Sequence, residues 1–194
     1  MMIEIARLTL ENKSLDNAEP RAKAALESTQ KGLGFIPNMY AKMANSPSML
    51  ETYVVGYKFF RGDSGFTPAE QEVVFLTISH ENGCEYCMAA HSMVGEKMSG
   101  VPAAVLGALR SGLPLPDAKL QALSVFTRIM VASRGKPARQ DLKAFLAAGF
   151  SERQVLEIIL AIAVKTISNY SNHVFHTEVD PVFAAYRWET PKAA

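Results

Sequence analysis

The sequence predicts an all-α protein. Three observations carry that reading: helix-start and helix-stop signals recur down the chain, apolar residues fall at helical spacing, and period-two alternation is nowhere sustained. The first helix is read over Pro20 to Lys31, a run of helix formers around Ala24, Ala25 and Leu26 that stops at Gly32 and Gly34. Pro37 disfavours helix at Ile36, so Gly34-Phe35-Ile36-Pro37-Asn38 is a turn, with Asn38 expected to cap a short helix over Met39 to Ala44. Ser46-Pro47 opens the next over Ser48 to Phe60, with Ser46 as cap, and Arg61 to Gly65 is a loop. Thr67-Pro68-Ala69-Glu70 unites three start signals, and the helix it opens runs to about Glu81 before Asn82-Gly83. Another begins around Cys84 and ends near Gly100. Further helices follow from Val101-Pro102, from Lys119 to Ser133, from Ala138 to Ala147 after the Gly135-Lys136-Pro137 break, and from Glu152 to about His176.

Composition bounds what such a chain does. With 194 residues, 48% of them apolar, it is long enough to bury one core without staples, and disorder is excluded as its main state. A net charge of +1 leaves no electrostatic footprint for nucleic acid or an anionic membrane. Met1 to Arg7 shows no basic region followed by an apolar stretch. The longest apolar run, Ile158 to Val164, falls far short of the roughly 20 residues of a membrane span. Two cysteines make no disulfide framework. A cytoplasmic protein is expected, in a compartment that keeps thiols reduced.

The last helix and an internal echo suggest larger organisation. From Val155 to Ile167 apolar residues surround nearly the whole axis, interrupted by Glu157, Lys165 and Thr166. A helix of that kind is either central or closed on one face by another subunit, and a homo-oligomer is expected. Adding 85 to Glu72, Cys84, Cys87 and His91 gives Glu157, Asn169, Asn172 and His176. This reads as a duplicated helical hairpin whose second copy has lost its thiols, with His173 and His176 as satisfied structural histidines. One domain over 1–194 is expected, with an N-terminal arm to about 47, an active half over about 48–112 and a degenerate half over about 113–180.

The chemistry concentrates in His80-Glu81-Asn82-Gly83-Cys84-Glu85-Tyr86-Cys87-Met88-Ala89-Ala90-His91. Cys84 lies at a helix start, where unpaired N–H groups and the positive dipole end favour a thiolate. Cys84 and Cys87 are three apart on one helical face, so their sulfurs can meet in a disulfide. His91 lies four beyond Cys87, where helical side chains touch. Glu72 sits on the preceding helix, and antiparallel packing would bring it to the imidazole. An acid, an imidazole and a thiol with a second thiol at hand make a proton relay. Two cysteines and a histidine also match a zinc ligand set, with His80 or Glu81 as a fourth ligand.

Glu72, eleven residues, Cys84-x-x-Cys87, three residues and His91 resemble the alkylhydroperoxidase-D/carboxymuconolactone-decarboxylase-like family. Gly34 to Asn38 with Ser46-Pro47 resembles the N-terminal arm of its peroxidase-related branch. The resemblance runs from about Gly34 to about Asp180. It implies that family's all-α fold, an oligomer, and no metal or organic cofactor. It also implies a hydroperoxide substrate and an unidentified thiol or disulfide reductant. Cys87 would be the attacking thiolate passing through a sulfenic acid, Cys84 would resolve it to a disulfide, and His91 with Glu72 would relay the proton. Tyr86 departs from the pattern, standing where peroxidases of the family carry a histidine; a phenol with pKa near 10 is no base at neutral pH. Decarboxylation of a small lactone or carboxylate, with His91 as acid–base, is the non-redox alternative.

Overall fold

The computed structural model describes residues 5–190; Met1 to Glu4, part of the stretch read for a leader, lie outside them. The described residues form α1 (Pro20–Leu33), α2 (Asn38–Met43), α3 (Pro47–Asp63), α4 (Pro68–Glu81), α5 (Glu85–Lys97), α6 (Ala103–Ser111), α7 (Ala118–Ala132), α8 (Arg139–Ala147), α9 (Glu152–Phe175) and a 3-10 turn over Pro181–Tyr186. They contain no strand, and no helix among them is long and apolar enough to cross a membrane.

The central helix is α4. Every residue from Glu70 to Ser79 is buried, and α5, α6, α7 and α9 pack around it. Its start is the capping box read from the sequence: the Glu70 N–H donates to Thr67 Oγ1 at 3.3 Å, and the Thr67 N–H donates to Glu70 Oε2 at 2.9 Å. A cap of this kind is worth about 1 kcal/mol. At the other end Gly83 has φ +64°, and a Cβ there would stand 3.3 Å from Thr190. Glycine makes that left-handed turn without penalty and sends the chain back as α5. Beneath the hairpin, Phe126, Phe145 and Phe150 stack with centroids 4.3 and 4.7 Å apart, while Phe60 meets Phe75 at 4.6 Å.

Several local expectations are corrected. Asn38 is the first residue of α2 and caps nothing; Pro37 holds the cap position, and the carboxylate that accepts the Asn38 N–H (3.1 Å) belongs to Asp180. Ser46 sits at the cap of α3 but makes no side-chain capping bond. The helix apolar around its axis, α9, is not buried on all sides: Leu156, Ile159, Tyr170 and Val174 are exposed along one stripe. The central position went to α4, whose consecutive Val73-Val74-Phe75-Leu76 leaves no polar face to turn outward. The echo does not fold as a second hairpin. Glu157, Asn169 and Asn172 lie on one unbroken helix, because no Asn-Gly turn interrupts α9, and His176 is the left-handed residue that ends it.

Both ends of the described chain lie across these helices. The Leu8 N–H donates to the Val174 carbonyl at 2.7 Å, and Lys42 Nζ reaches the Leu10 carbonyl at 2.9 Å. Trp188 Nε1 donates to the Arg110 carbonyl at 2.6 Å, and Arg110 in turn donates to the carbonyls of Tyr186 and Arg187.

Candidate active site

The turn at Gly83 folds α5 back along α4, and this brings Glu72 and His91 together. His91 Nδ1 lies 2.8 Å from Glu72 Oε2. The other Glu72 oxygen is paired with the Arg61 guanidinium, which also donates to Tyr57 Oη (2.8 Å) and Gln71 Oε1 (3.1 Å). Glu72 is fully buried. Burial alone would raise its pKa, but His91 and Arg61 outweigh that and hold the carboxyl below its ordinary range. His91 is pushed down by burial and by the charge of Lys165, with Glu72 opposing. A neutral imidazole facing a carboxylate must carry its hydrogen on Nδ1, which leaves Nε2 as the basic nitrogen.

The two cysteines are free and buried. Cys84 occupies the N-cap position of α5 and Cys87 lies in its first turn. Opposite them stands α9. Asn172 Nδ2 donates to Cys87 Sγ at 3.3 Å and reaches Cys84 Sγ at 3.7 Å. Lys165, two turns earlier on the same face of α9, is fully buried, with its Nζ 5.5 Å from the Phe75 ring centroid and no hydrogen-bond partner among the described residues. Of the two thiols, Cys87 is the more acidic. Burial pushes its thiol up, yet the hydrogen bond from Cys84 and the charges of Lys165 and His91 bring it well below the usual cysteine value. Cys84 moves the opposite way, raised by burial and by the neighbouring Cys87. The dipole argument favoured ionisation of Cys84, but the dipole acts on the whole first turn, and a cation and an amide donor decide for Cys87.

Glu72, Cys84, Cys87 and His91, all singled out in the sequence, thus share one site. Sequence reasoning missed Arg61, placed there in a loop, and Lys165, which figured only as an interruption of an apolar run. Asn172 enters the sequence analysis only as the echo of Cys87, and its bonds go to the sulfurs. The signal for Asn172 was the echo itself, which aligns it with Cys87. His173 is not a satisfied histidine, since its buried Nε2 has no partner among the described residues. The zinc reading finds no ligand set: no three His, Cys, Asp or Glu side chains among the described residues converge to hold an ion. His80 instead lies 5.4 Å from the Trp188 ring and 3.8 Å from Glu81.

Tyr86 is buried and faces away from this chemistry. Its hydroxyl donates to Asp180 Oδ2, the same carboxylate that caps α2, and burial with Asp180 raises its pKa far out of reach. Tyr86 therefore anchors the 3-10 turn to α5. Tyr86→Phe is expected to lower stability by about 1.5–3 kcal/mol, the value of a hydrogen bond to a charged group, while thiol reactivity stays unchanged. Thermal denaturation and thiol alkylation of the same sample check both halves of that statement. A cleft of about 590 Å³ is lined by Asn82, Cys84, Glu85, Asn172, His173 and Thr177, among others.

Comparisons with known proteins agree with this fold. No curated protein matches the chain in sequence. Among solved structures, an alkylhydroperoxidase AhpD core, an uncharacterized peroxidase-related protein from Ralstonia eutropha JMP134, is similar with a TM-score of 0.80 and 19% identity, over 94% of this chain and 96% of that one. An uncharacterized peroxidase-related protein from Silicibacter sp. TM1040 is similar with a TM-score of 0.76 and 21% identity, over 97% of each chain. The debrominase Bmp8 in complex with 2,3,4-tribromopyrrole is similar with a TM-score of 0.75 and 15% identity, over 94% of this chain and 97% of that one. These likenesses establish the AhpD-like fold. The segment 50–128, which holds Glu72, Cys84, Cys87 and His91, matches the profile described as the Carboxymuconolactone decarboxylase family.

Proposed function

We propose that the protein is a thiol-dependent oxidoreductase of the peroxidase type, in which Cys84 and Cys87 cycle between dithiol and disulfide. One observation carries the reading: two free, buried cysteines share one amide donor, Asn172, and a hydrogen-bonded acid–imidazole pair lies one helical turn away. The Cys87 thiolate attacks the terminal oxygen of a hydroperoxide, the O–O bond breaks, and the leaving alkoxide takes a proton relayed through His91 and Glu72. The products are an alcohol and a sulfenic acid on Cys87. Cys84 then attacks that sulfur, releasing water and closing the disulfide. Two equivalents of an external thiol restore the dithiol and leave as their own disulfide.

The test is thiol titration of reduced protein before and after one equivalent of an organic hydroperoxide, read by intact mass. Loss of both thiols with a decrease of about 2 Da, two hydrogens, is expected. Two unreacted thiols would overturn the reading. The family match raises decarboxylation of a small lactone or carboxylate as a second reading. That activity would use His91 and survive alkylation of both cysteines, whereas the thiol cycle would not.

The exposed stripe of α9 supports assembly. Leu156, Ile159, Tyr170 and Val174 on α9 lie beside exposed Val55 and Phe59 on α3, which packs against α9. Exposed apolar residues on two packed helices mark an interaction surface, and a second copy of the chain is its proposed partner. Phe59→Glu with Ile159→Glu is expected to give monomers by light scattering where the wild type does not.

A further inference from the structure

Lys165 poses a problem that the thiol cycle itself resolves. A fully buried ammonium with no hydrogen-bond partner is costly, and it persists only where an opposite charge compensates it. The carboxylates nearby are committed elsewhere: Glu72 to Arg61 and His91, Asp180 to Tyr86 and the N-terminus of α2. Tyr53 and Tyr57 from α3 and Tyr86 and His91 from α5 bear on Cys87, while Arg61 from α3 and Glu72 from α4 are paired beyond His91. Arg110 of α6 is turned away onto Ser92 and the carbonyls of the C-terminal segment. Lys165 precedes Asn172 by two turns on the same face of α9, and its Nζ lies over the Phe75 ring, itself 4.9 Å from the His91 ring. A negative charge formed on Cys87, on which Asn172 Nδ2 bears at 3.3 Å, therefore forms on the side of the site that Lys165 lines.

We propose that Lys165, seconded by Asn172, is the built-in counter-charge of the reduced pair, and that loss of the thiolate it faces makes the Cys84–Cys87 disulfide a strong oxidant. The inference rests on the dithiol–disulfide cycle proposed above. Reduction follows Cys84–S–S–Cys87 + 2 RSH → Cys84–SH + Cys87–S⁻ + RSSR + H⁺, so a thiolate appears beside the ammonium. Oxidation runs the other way and leaves Lys165 with only the Phe75 ring at 5.5 Å. Stabilising the reduced form raises the potential of a pair. The same arrangement sets the direction of attack. A reductant entering by the cleft meets the sulfur of Cys84, and the thiol of lower pKa, Cys87, is the better leaving group.

The experiment equilibrates the full chain with glutathione buffers of graded GSH/GSSG ratio, and follows alkylation of Cys87 by iodoacetamide against pH. Lys165→Met is expected to shift the equilibrium toward disulfide by at least about tenfold, about 30 mV, and to move the alkylation midpoint upward. Asn172→Leu should move both readouts the same way by less, and it decides the matter if Lys165→Met fails to fold. A wild-type disulfide with unchanged equilibrium and unchanged pH profile in the variants would overturn the role of Lys165 and leave the thiol cycle standing. A wild-type alkylation midpoint at or above that of free cysteine, about 8.5, would overturn it as well. No disulfide in any of the proteins would overturn the cycle itself.

Discussion

Cys87→Ser is expected to abolish hydroperoxide reduction, with a loss of at least about 10³-fold in peroxide consumption, the scale seen when an activated nucleophile is removed. The serine hydroxyl keeps the volume but stays protonated, so the Cys84 hydrogen bond, Lys165 and Asn172 act on a group that cannot ionise. Cys84→Ser has a different signature. It retains the thiolate and the relay, consumes one equivalent of peroxide, and stops with a sulfenic acid on Cys87 because no second thiol closes the disulfide. A sulfenic-acid trap such as dimedone therefore labels Cys84→Ser and leaves Cys87→Ser unlabelled. Equal peroxide turnover in Cys87→Ser and wild type would remove Cys87 from the attacking position.

Glu72→Ala is expected to cost about 3–5 kcal/mol, because it leaves the Arg61 guanidinium and the His91 imidazole facing an empty buried site. For a chain of this size that is a drop in Tm of about 6–20 °C. The acid dependence of the wild type has the same origin. The Glu72 carboxyl is depressed from 4.5, so its contribution is full above that pH and is lost as pH falls through the lower folded value. His91 is depressed from 6.5, so the unfolded chain binds its proton first and stability begins to fall below pH 6.5. The wild-type Tm should therefore decline from pH 7 to pH 5 and more steeply below pH 4.5. Glu72→Ala should lose the lower of these two steps, as differential scanning calorimetry across that range would show.

The helices were legible because their punctuation is local. Thr67-Pro68-Ala69-Glu70 contains its own cap, and Asn82-Gly83 its own turn, so α4 and the start of α5 needed nothing from elsewhere in the chain. The same holds for the pairing of Glu72 with His91, which follows once a tight turn makes the two helices antiparallel. What escaped was set by distant partners. Asn38 lost its capping role to a carboxylate 142 residues away. Lys165 resembled any cation breaking an apolar run, and nothing near it in sequence says that its charge meets a cysteine. The 3-10 turn over Pro181–Tyr186 was unread because its anchor, Tyr86 with Asp180, spans 94 residues.

The thiol site draws its two sulfurs from one part of the chain and their cover from another, with 85 residues between Cys87 and Asn172. During synthesis at about 5–20 residues per second, the cysteines leave the ribosome about 4–17 s before the helix that shields and polarises them. For that interval Cys84 and Cys87 are ordinary thiols on an unfinished chain, with neither the cation that ionises one nor the packing that hides both. Their reactivity is a property the polypeptide acquires late, when α9 docks, and a nascent chain stalled before Lys165 would carry the motif without its chemistry.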